Sequence, residues 1–249
     1  MAAYGAAGRF GVGVPQSNPT VEPEMGVLLP RAAALYATRL TSGEVEPQAR
    51  LRAYIDTIET SLATYDGLAL AAFGFACTGS SYLIGAEAER GIVEAASRRF
   101  GYPVLTAADA IVWAMERIGA RRIAVIAPYP DALIAAGKAY FETRGLEVVS
   151  TRRVVTRTTD TRSIYELTPD QAGELTETAL GVDAVLISGT GMPSLPLLAP
   201  QGSPPILSSN LCLAARLLDA AGRGDLIDGV APHGWQARLT EALQEGASA

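Results

Sequence analysis

Short apolar runs alternate with amphipathic stretches along nearly the whole chain, and this alternation restricts the fold more than any other feature. Strand-like runs cover residues 9–14, 67–76, 102–105, 122–127, 146–155, 182–188 and 205–208. The run GLALAAFGFA at 67–76 has no polar alternation, as a strand buried on both faces requires. Between the runs, apolar residues recur at threes and fours. Residues 49–64 carry Leu51, Tyr54, Ile55, Ile58 and Leu62 on one stripe. Residues 85–100, 107–118, 131–144, 169–180 and 210–221 share that spacing, with Asp131 and Asn210 placed as N-caps. Strand followed by helix, many times over, predicts an open α/β fold with mainly parallel sheet. Ligands of such sheets bind beyond the carboxyl ends of the strands, so the residues just after each strand are the candidates for function.

Those loops repeat. The strand at 9–14 runs into Pro15, Gln16, Ser17 and Asn18, and the strand at 122–127 into Pro128, Tyr129, Pro130 and Asp131. The strand at 67–76 runs into Cys77, Thr78, Gly79 and Ser80, and the strand at 182–188 into Gly189, Thr190, Gly191 and Met192. One X-Thr-Gly turn carries little weight, because any strand-to-helix turn favours Gly and Thr. Its recurrence, each time with a Pro-led turn in the same half, predicts two pseudo-symmetric Rossmann-like α/β domains facing one another across an active-site cleft. One comprises residues 1–106 with 210–249, the other residues 107–209. The loop at 196–204 is expected to help wall the cleft. Gly11-Val12-Gly13 lacks the third glycine of a dinucleotide fingerprint, since Gln16 stands there, so no nucleotide cofactor is implied.

Composition removes other classes. Hydrophobic residues make up 49% of the 249 and charged residues 18%, which is a folded, core-rich chain. Net charge is −6, and the pairs Arg98–Arg99, Arg121–Arg122 and Arg152–Arg153 are dispersed, so the basic stripe of a nucleic-acid binder is missing. No apolar run approaches the ~20 residues of a membrane span. The opening MAAYGAAGRF reads as a short tail and not a signal peptide, and a cytoplasmic protein is expected. Cys77 and Cys212 have no metal-ligand spacing, and His233 is the one histidine, so neither a metal nor another cofactor is expected. Cys212 reads as core and His233 as a surface or helix-entry residue. Glu22 and Glu24 read as solvated or at a helix start. The Ala- and Leu-rich helices leave apolar faces that a homodimer would cover.

Cys77 ends an apolar strand and heads a Thr-Gly-Ser-Ser turn. A free cysteine titrates near pH ~8.5 and reacts as its thiolate. Backbone N–H groups of Thr78, Gly79, Ser80 and Ser81 would stabilise such a thiolate or a bound carboxylate. Gly189, Thr190, Gly191 and Met192 offer a second nest of amides. Two nests suit a dicarboxylate, or a carboxylate beside a developing enediolate. Tyr129 and Asn18 would act as neutral donors, and Pro15 and Ser17 would line the first loop. The four loops hold no Arg or Lys, so recognition by amides and hydroxyls is expected. Plainer readings exist: Cys77 as a small buried hydrophobe, Tyr129 as strand-end packing, Asn18 as a turn former before Pro19.

The stretch GVGVPQSNPTVEPEM, residues 11–25, resembles the N-terminal signature of maleate cis-trans isomerases, a strand leading into a Pro-x-Ser-Asn-x-Thr-x-Glu loop. CTGSS at 77–81 resembles that family's first cysteine loop, Ala127-Pro128-Tyr129 its tyrosine loop, and SGTGMPS at 188–194 its second cysteine loop. The same framework is shared with arylmalonate decarboxylases and the wider aspartate/glutamate racemase superfamily. The resemblance implies two pseudo-symmetric domains, no cofactor, and a small mono- or dicarboxylate substrate. In the isomerases a first-loop cysteine adds to the alkene. In the racemases two cysteines act as base and acid, and in the decarboxylases a second-loop cysteine delivers the proton. This chain departs from the pattern: Gly189 occupies the second cysteine position, and Thr161 the place of an expected Asn. The surviving thiol is the one isomerisation needs. The resemblance therefore implies maleate-type isomerisation by covalent addition of Cys77. The alternatives are decarboxylation or racemisation with Cys77 as a one-sided proton donor, and a carboxylate-binding homologue with altered chemistry.

Overall fold

The alternation resolves into two sheets. The computed structural model describes residues 4–176, 181–198 and 204–247. The first sheet is built from β1 (Arg9–Pro15), β2 (Ala34–Leu40), β3 (Ala72–Phe75) and β4 (Val104–Thr106). Interleaved with it are α1 (Val21–Leu28), α2 (Pro47–Asp56), α3 (Ile58–Ala63), α4 (Thr78–Ile84) and α5 (Ala86–Phe100). After α6 (Ala107–Arg117), the second sheet holds β5 (Arg122–Ala127), β6 (Glu147–Arg153), β7 (Ala184–Ile187) and β8 (Ile206–Ser208). Between its strands lie α7 (Asp131–Thr143), a 3-10 turn (Thr161–Glu166), α8 (Asp170–Thr176) and α9 (Leu195–Leu198). Then come α10 (Ser209–Ala220), a two-stranded ribbon of β9 (Ile227–Asp228) and β10 (Ala231–Pro232), and α11 (Trp235–Ala247). Among the described residues no helix is long and apolar enough to cross a membrane.

Both sheets are parallel and share one strand order, β2-β1-β3-β4 and β6-β5-β7-β8. The repeat read in the loops is thus a repeat of topology. In each sheet the chain leaves the first strand toward one edge and returns on its other side. The switch points lie between β1 and β3 and between β5 and β7, where diverging connections open a crevice at the carboxyl ends. The loops that begin at Gln16, Cys77, Pro128 and Gly189 follow these four strands. The helices after β4 and β8, α6 and α10, pack against each other and join the halves.

Phe10, Val12, Val14, Phe73 and Phe75 in the first sheet, and Ile123, Leu186 and Ile187 in the second, are buried. Gly11 and Gly13 serve packing. A Cβ on Gly11 would lie 2.7 Å from Leu70 Cδ1, and one on Gly13 2.8 Å from Phe73 Cζ. Their bare backbone lets the Phe73 ring lie across β1.

Several elements differ from expectation. β2 has no counterpart among the predicted strands: it is an edge strand, half-exposed along most of its length, and carries Thr38 and Arg39. It forms because β1 pairs with it from Arg9↔Ala34 to Pro15↔Leu40. The run at 67–76 contributes only Ala72–Phe75, because the residues before it carry the chain from the turn at Asp66 (φ 44°) to the sheet. The predicted helix at 49–64 breaks at Thr57 (φ −105°, ψ 18°) into α2 and α3. α1 carries Glu22 and Glu24 in its first turn, one of the two places expected for them, and α4 is a further addition. Asn210 is no N-cap: Ser208 caps α10 through Leu211 N–H, and Asn210 is buried within the helix. Asp131 is the first residue of α7, after Pro130. Residues 177–180 of the predicted helix at 169–180, and residues 199–203 of the loop at 196–204, lie outside the described residues.

Candidate active site

Cys77 is the extended residue (φ −145°, ψ 93°) from which α4 starts, and it is 5% exposed. Ser80 Oγ lies 3.2 Å from its Sγ and 2.6 Å from the Leu51 carbonyl oxygen, so one hydroxyl ties the thiol to α2. Burial pushes the Cys77 thiol up, opposed by hydrogen bonds from the Ser80 hydroxyl and from the Ser80 and Gly79 amides. The resting group is a neutral thiol. The amides that would hold its thiolate are already in position.

Tyr129 reaches the same place from the other half, its backbone constrained by Pro128 and Pro130. Its hydroxyl lies 2.7 Å from Thr78 Oγ1. Its ring meets Tyr82 edge-on, with centroids 6.3 Å apart, and Tyr82 Oη lies 2.8 Å from Ser188 Oγ. Burial above all, then the neighbouring Cys77 and Tyr82, holds the Tyr129 phenol well above its ordinary value. Tyr129 is therefore a neutral donor or acceptor.

Asn18 does two things at once. Its Oδ1 accepts from Thr20 N–H at 2.9 Å, which shapes the turn, and its Nδ2 donates to Thr190 Oγ1 at 3.4 Å, across the halves. Thr190 in turn donates to the Ala76 carbonyl at 2.7 Å, and Thr20 Oγ1 to the Gly191 carbonyl at 3.0 Å. The second nest is partly spent: Gly189 N–H goes to Ser209 Oγ at 3.0 Å and Met192 N–H to the Gly189 carbonyl. A Cβ on Gly189 (φ 117°) would stand 3.3 Å from Tyr129 Oη.

Glu24 is not solvated. It is buried and accepts from Ser194 N–H at 2.6 Å, Leu195 N–H at 3.2 Å and Asn210 Nδ2 at 2.7 Å, besides the Ser194 hydroxyl. Asn210 also donates to the Thr190 carbonyl at 3.0 Å. Glu24 thereby clamps α1 to the loop after β7. Glu22 is half-buried and pairs with Arg39 at 2.5 Å.

Around Cys77 lies a cavity of about 30 Å³, above the ~10–15 Å³ that admits a water molecule. Pro15, Ser17, Asn18, Cys77, Tyr129, Thr190 and Gly191 line it, each from a loop singled out in the sequence. Thr78, Gly79, Ser80, Gly189 and Met192 stand behind this lining, buried or forming turns. As many lining residues again come from two other elements, of which the sequence singles out only Thr161 for the site. Arg50, Leu51 and Tyr54 belong to α2, and Thr161, Arg162, Ile164 and Tyr165 to the 3-10 turn. Two arginines, Arg50 and Arg162, thus join the amides and hydroxyls expected from the four loops. The one sequence signal for Arg50 is its place one helical turn before Tyr54, beside the apolar stripe of α2. Cys212 is fully buried on α10, and His233 is exposed beyond the ribbon, away from the cavity. Among the described residues no group of His, Cys, Asp and Glu is placed to hold a metal ion.

Matching sheets whose four strand-end loops meet, one bearing a buried thiol, define a two-halved α/β protein with a cavity between the loops. The chain belongs to the arylmalonate decarboxylase family, whose model matches residues 10–230. It is 27% identical over 246 residues to a maleate isomerase of Pseudomonas putida, covering 89% of this chain and 94% of that one. Among solved structures it is similar to a Nocardia farcinica maleate cis-trans isomerase, a cysteine-to-serine mutant with a covalently bound succinylcysteine intermediate. There the TM-score is 0.78 at 25% identity, over 86% of this chain and 92% of that one. An arylmalonate decarboxylase shares the fold, with a TM-score of 0.74 at 20% identity over 91% and 96% of the two chains.

Proposed function

We propose that this chain is a cofactor-independent cis-trans isomerase of a small unsaturated dicarboxylate of the maleate type, with Cys77 as its nucleophile. The observation that carries the reading is the asymmetry of the site. A thiol with amides aimed at its sulfur stands after β3, while the matching position after β7 is a glycine. Two-thiol racemisation has no second thiol to use. A covalently bound succinylcysteine in a relative in which one cysteine is replaced by serine supports addition of a cysteine as the first step.

The steps balance without any co-reactant. Sulfur bonds to one alkene carbon, and the π pair takes the proton that the neutral thiol gives up at the neighbouring carbon. The bond between those carbons is then single and rotates. Loss of the same proton and departure of sulfur restore the alkene in its trans form. Tyr129 and Asn18 are placed to donate to the carboxylate that conjugates with the reacting carbon, where charge develops in the addition.

The test is proton NMR in deuterated buffer with maleate, beside a Cys77→Ser control. Fumarate formed only by the unaltered protein is the expected result. A second reading, one-sided protonation by Cys77 after decarboxylation, is favoured by the family match. A parallel tube of substituted malonate tests it: carbon dioxide and singly deuterated product there, with maleate unchanged, would replace the isomerase reading.

A further inference from the structure

Two arginines share one carboxylate at the cavity wall. Arg50 is 2% exposed, and its Nη2 donates to Asp160 Oδ1 at 2.6 Å and Thr161 Oγ1 at 3.5 Å. Its Nη1 donates to the Val45 carbonyl at 3.3 Å. These bonds engage three of the five N–H donors of a guanidinium. Arg162 Nε stands 3.6 Å from the other Asp160 oxygen. Both arginines line the cavity that holds Cys77, whereas Asp160 does not, and no Asp or Glu is among the lining residues. The charged part of the wall is thus wholly cationic, in a chain of net charge −6. Arg50, the buried one, has the close partner in Asp160, and Arg162, the half-exposed one, stands farther from it, so the wall carries one positive charge more than Asp160 balances.

We infer that Arg50 and Arg162 bind the second anionic group of the substrate, so that the site selects dianions over monoanions. The identity of the reacting end rests on the proposed isomerisation. The distal anion is read by these residues alone. A guanidinium suits this task because its planar fork meets a carboxylate with two parallel N–H donors. Arg50 comes from α2 in one half and Arg162 from the 3-10 turn in the other. A dianion held by both would therefore bridge the halves.

The experiment is isothermal titration of the full chain carrying Cys77→Ser, so that binding is read without turnover, with maleate and with monomethyl maleate. Arg162→Gln is the main variant because its side chain is 48% exposed and its loss leaves the core intact. Arg50→Lys is the second, since it keeps the buried charge and removes the fork. Arg162→Gln is expected to weaken maleate by about tenfold or more, as loss of a charge-assisted hydrogen bond does, and to leave the monoester within about twofold. Arg50→Lys should show the same selectivity. Equal weakening of both ligands, no weakening of either, or a parent protein that binds the monoester as tightly as maleate would each overturn the inference. Turnover by the unaltered protein is scored separately. Arginine-dependent maleate binding without fumarate refutes the isomerase and keeps the dianion site. Fumarate formation with no diacid preference does the reverse.

Discussion

Alanine at position 189 tests why this site carries one thiol and not two. Gly189 has φ 117°, a region that L side chains rarely adopt. The loop cannot easily rotate out of it. Gly189 N–H is bonded to Ser209, Met192 N–H to the Gly189 carbonyl, and Thr190 Oγ1 to the Ala76 carbonyl. Holding a side chain in such a conformation costs about 1–3 kcal/mol. At about 2–4 °C per kcal/mol for a chain of this size, Gly189→Ala should lower Tm by about 2–12 °C. The new Cβ would also stand 3.3 Å from Tyr129 Oη and 3.4 Å from Pro128 Cδ, closer than the phenol tolerates without shifting. Any shift loosens the 2.7 Å contact between Tyr129 and Thr78, so maleate turnover should fall as well. Gly85→Ala is the control. Its φ is 81° and nothing lies within 4 Å of the added Cβ, so it bears the backbone cost alone. The assays are thermal denaturation and isomerisation rate for both variants. Gly85→Ala should lose stability and keep its rate, and Gly189→Ala should lose both. A Gly189→Ala protein that melts and turns over like the parent would refute the reasoning, and Gly189→Cys would then be open as a route to a two-thiol site.

Two further predictions follow from buried acids. Burial raises the Cys77 thiol, so the proton leaves only above the ordinary thiol range. Alkylation by iodoacetamide, read by peptide mass spectrometry, should be slower than for free cysteine at neutral pH and should still be rising where free cysteine has levelled off; parity at neutral pH would contradict this. Glu24→Ala leaves the Ser194, Leu195 and Asn210 donors without their acceptor, at about 1–3 kcal/mol for each group left unpaired, so a loss of several degrees in Tm is expected. Burial also raises the folded-state pKa of Glu24 above its ordinary 4.5, so the folded state binds the proton more tightly than the unfolded one. Its contribution to stability is full below the ordinary value and declines as pH rises through the raised one. The gap in Tm between parent and variant should therefore be widest in acid; a gap that grows with pH would reverse the sign.

Legibility in the sequence tracked how local each cause is. The strand at 122–127 was readable to the residue, because helices cover both its faces and every position but Arg122 is buried. The four strand-end loops were readable because parallel topology alone places ligands there. β2 was not, since an edge strand forms in response to its neighbour and needs no apolar run of its own. The place of Glu24 at a helix start was readable, but its burial was not, because a carboxylate in a first helical turn is ordinarily solvated and its partners lie about 170 residues away. The far wall of the cavity was hidden for the same reason. Only in the folded chain does Ser80 bond to the Leu51 carbonyl, and it is the packing of α2 on α4 that brings Arg50 to the wall lined by Cys77.

The duplicated topology makes the differences between the halves informative. After β3 the helix starts one residue past the thiol, and the Gly79 and Ser80 amides face its sulfur. After β7 the Gly189 amide is spent on Ser209 and the Met192 amide on the Gly189 carbonyl, and the place of a side chain is bordered by the Tyr129 hydroxyl. A side chain on the second loop would stand 3.3 Å from the phenol, which must then give by a few tenths of an ångström. As it stands, the site holds one nucleophile facing a neutral donor. In the proposed reaction that is sufficient. Addition needs one sulfur, the carboxylate that takes up developing charge needs neutral donors, and the proton that leaves the thiol is the one the product returns.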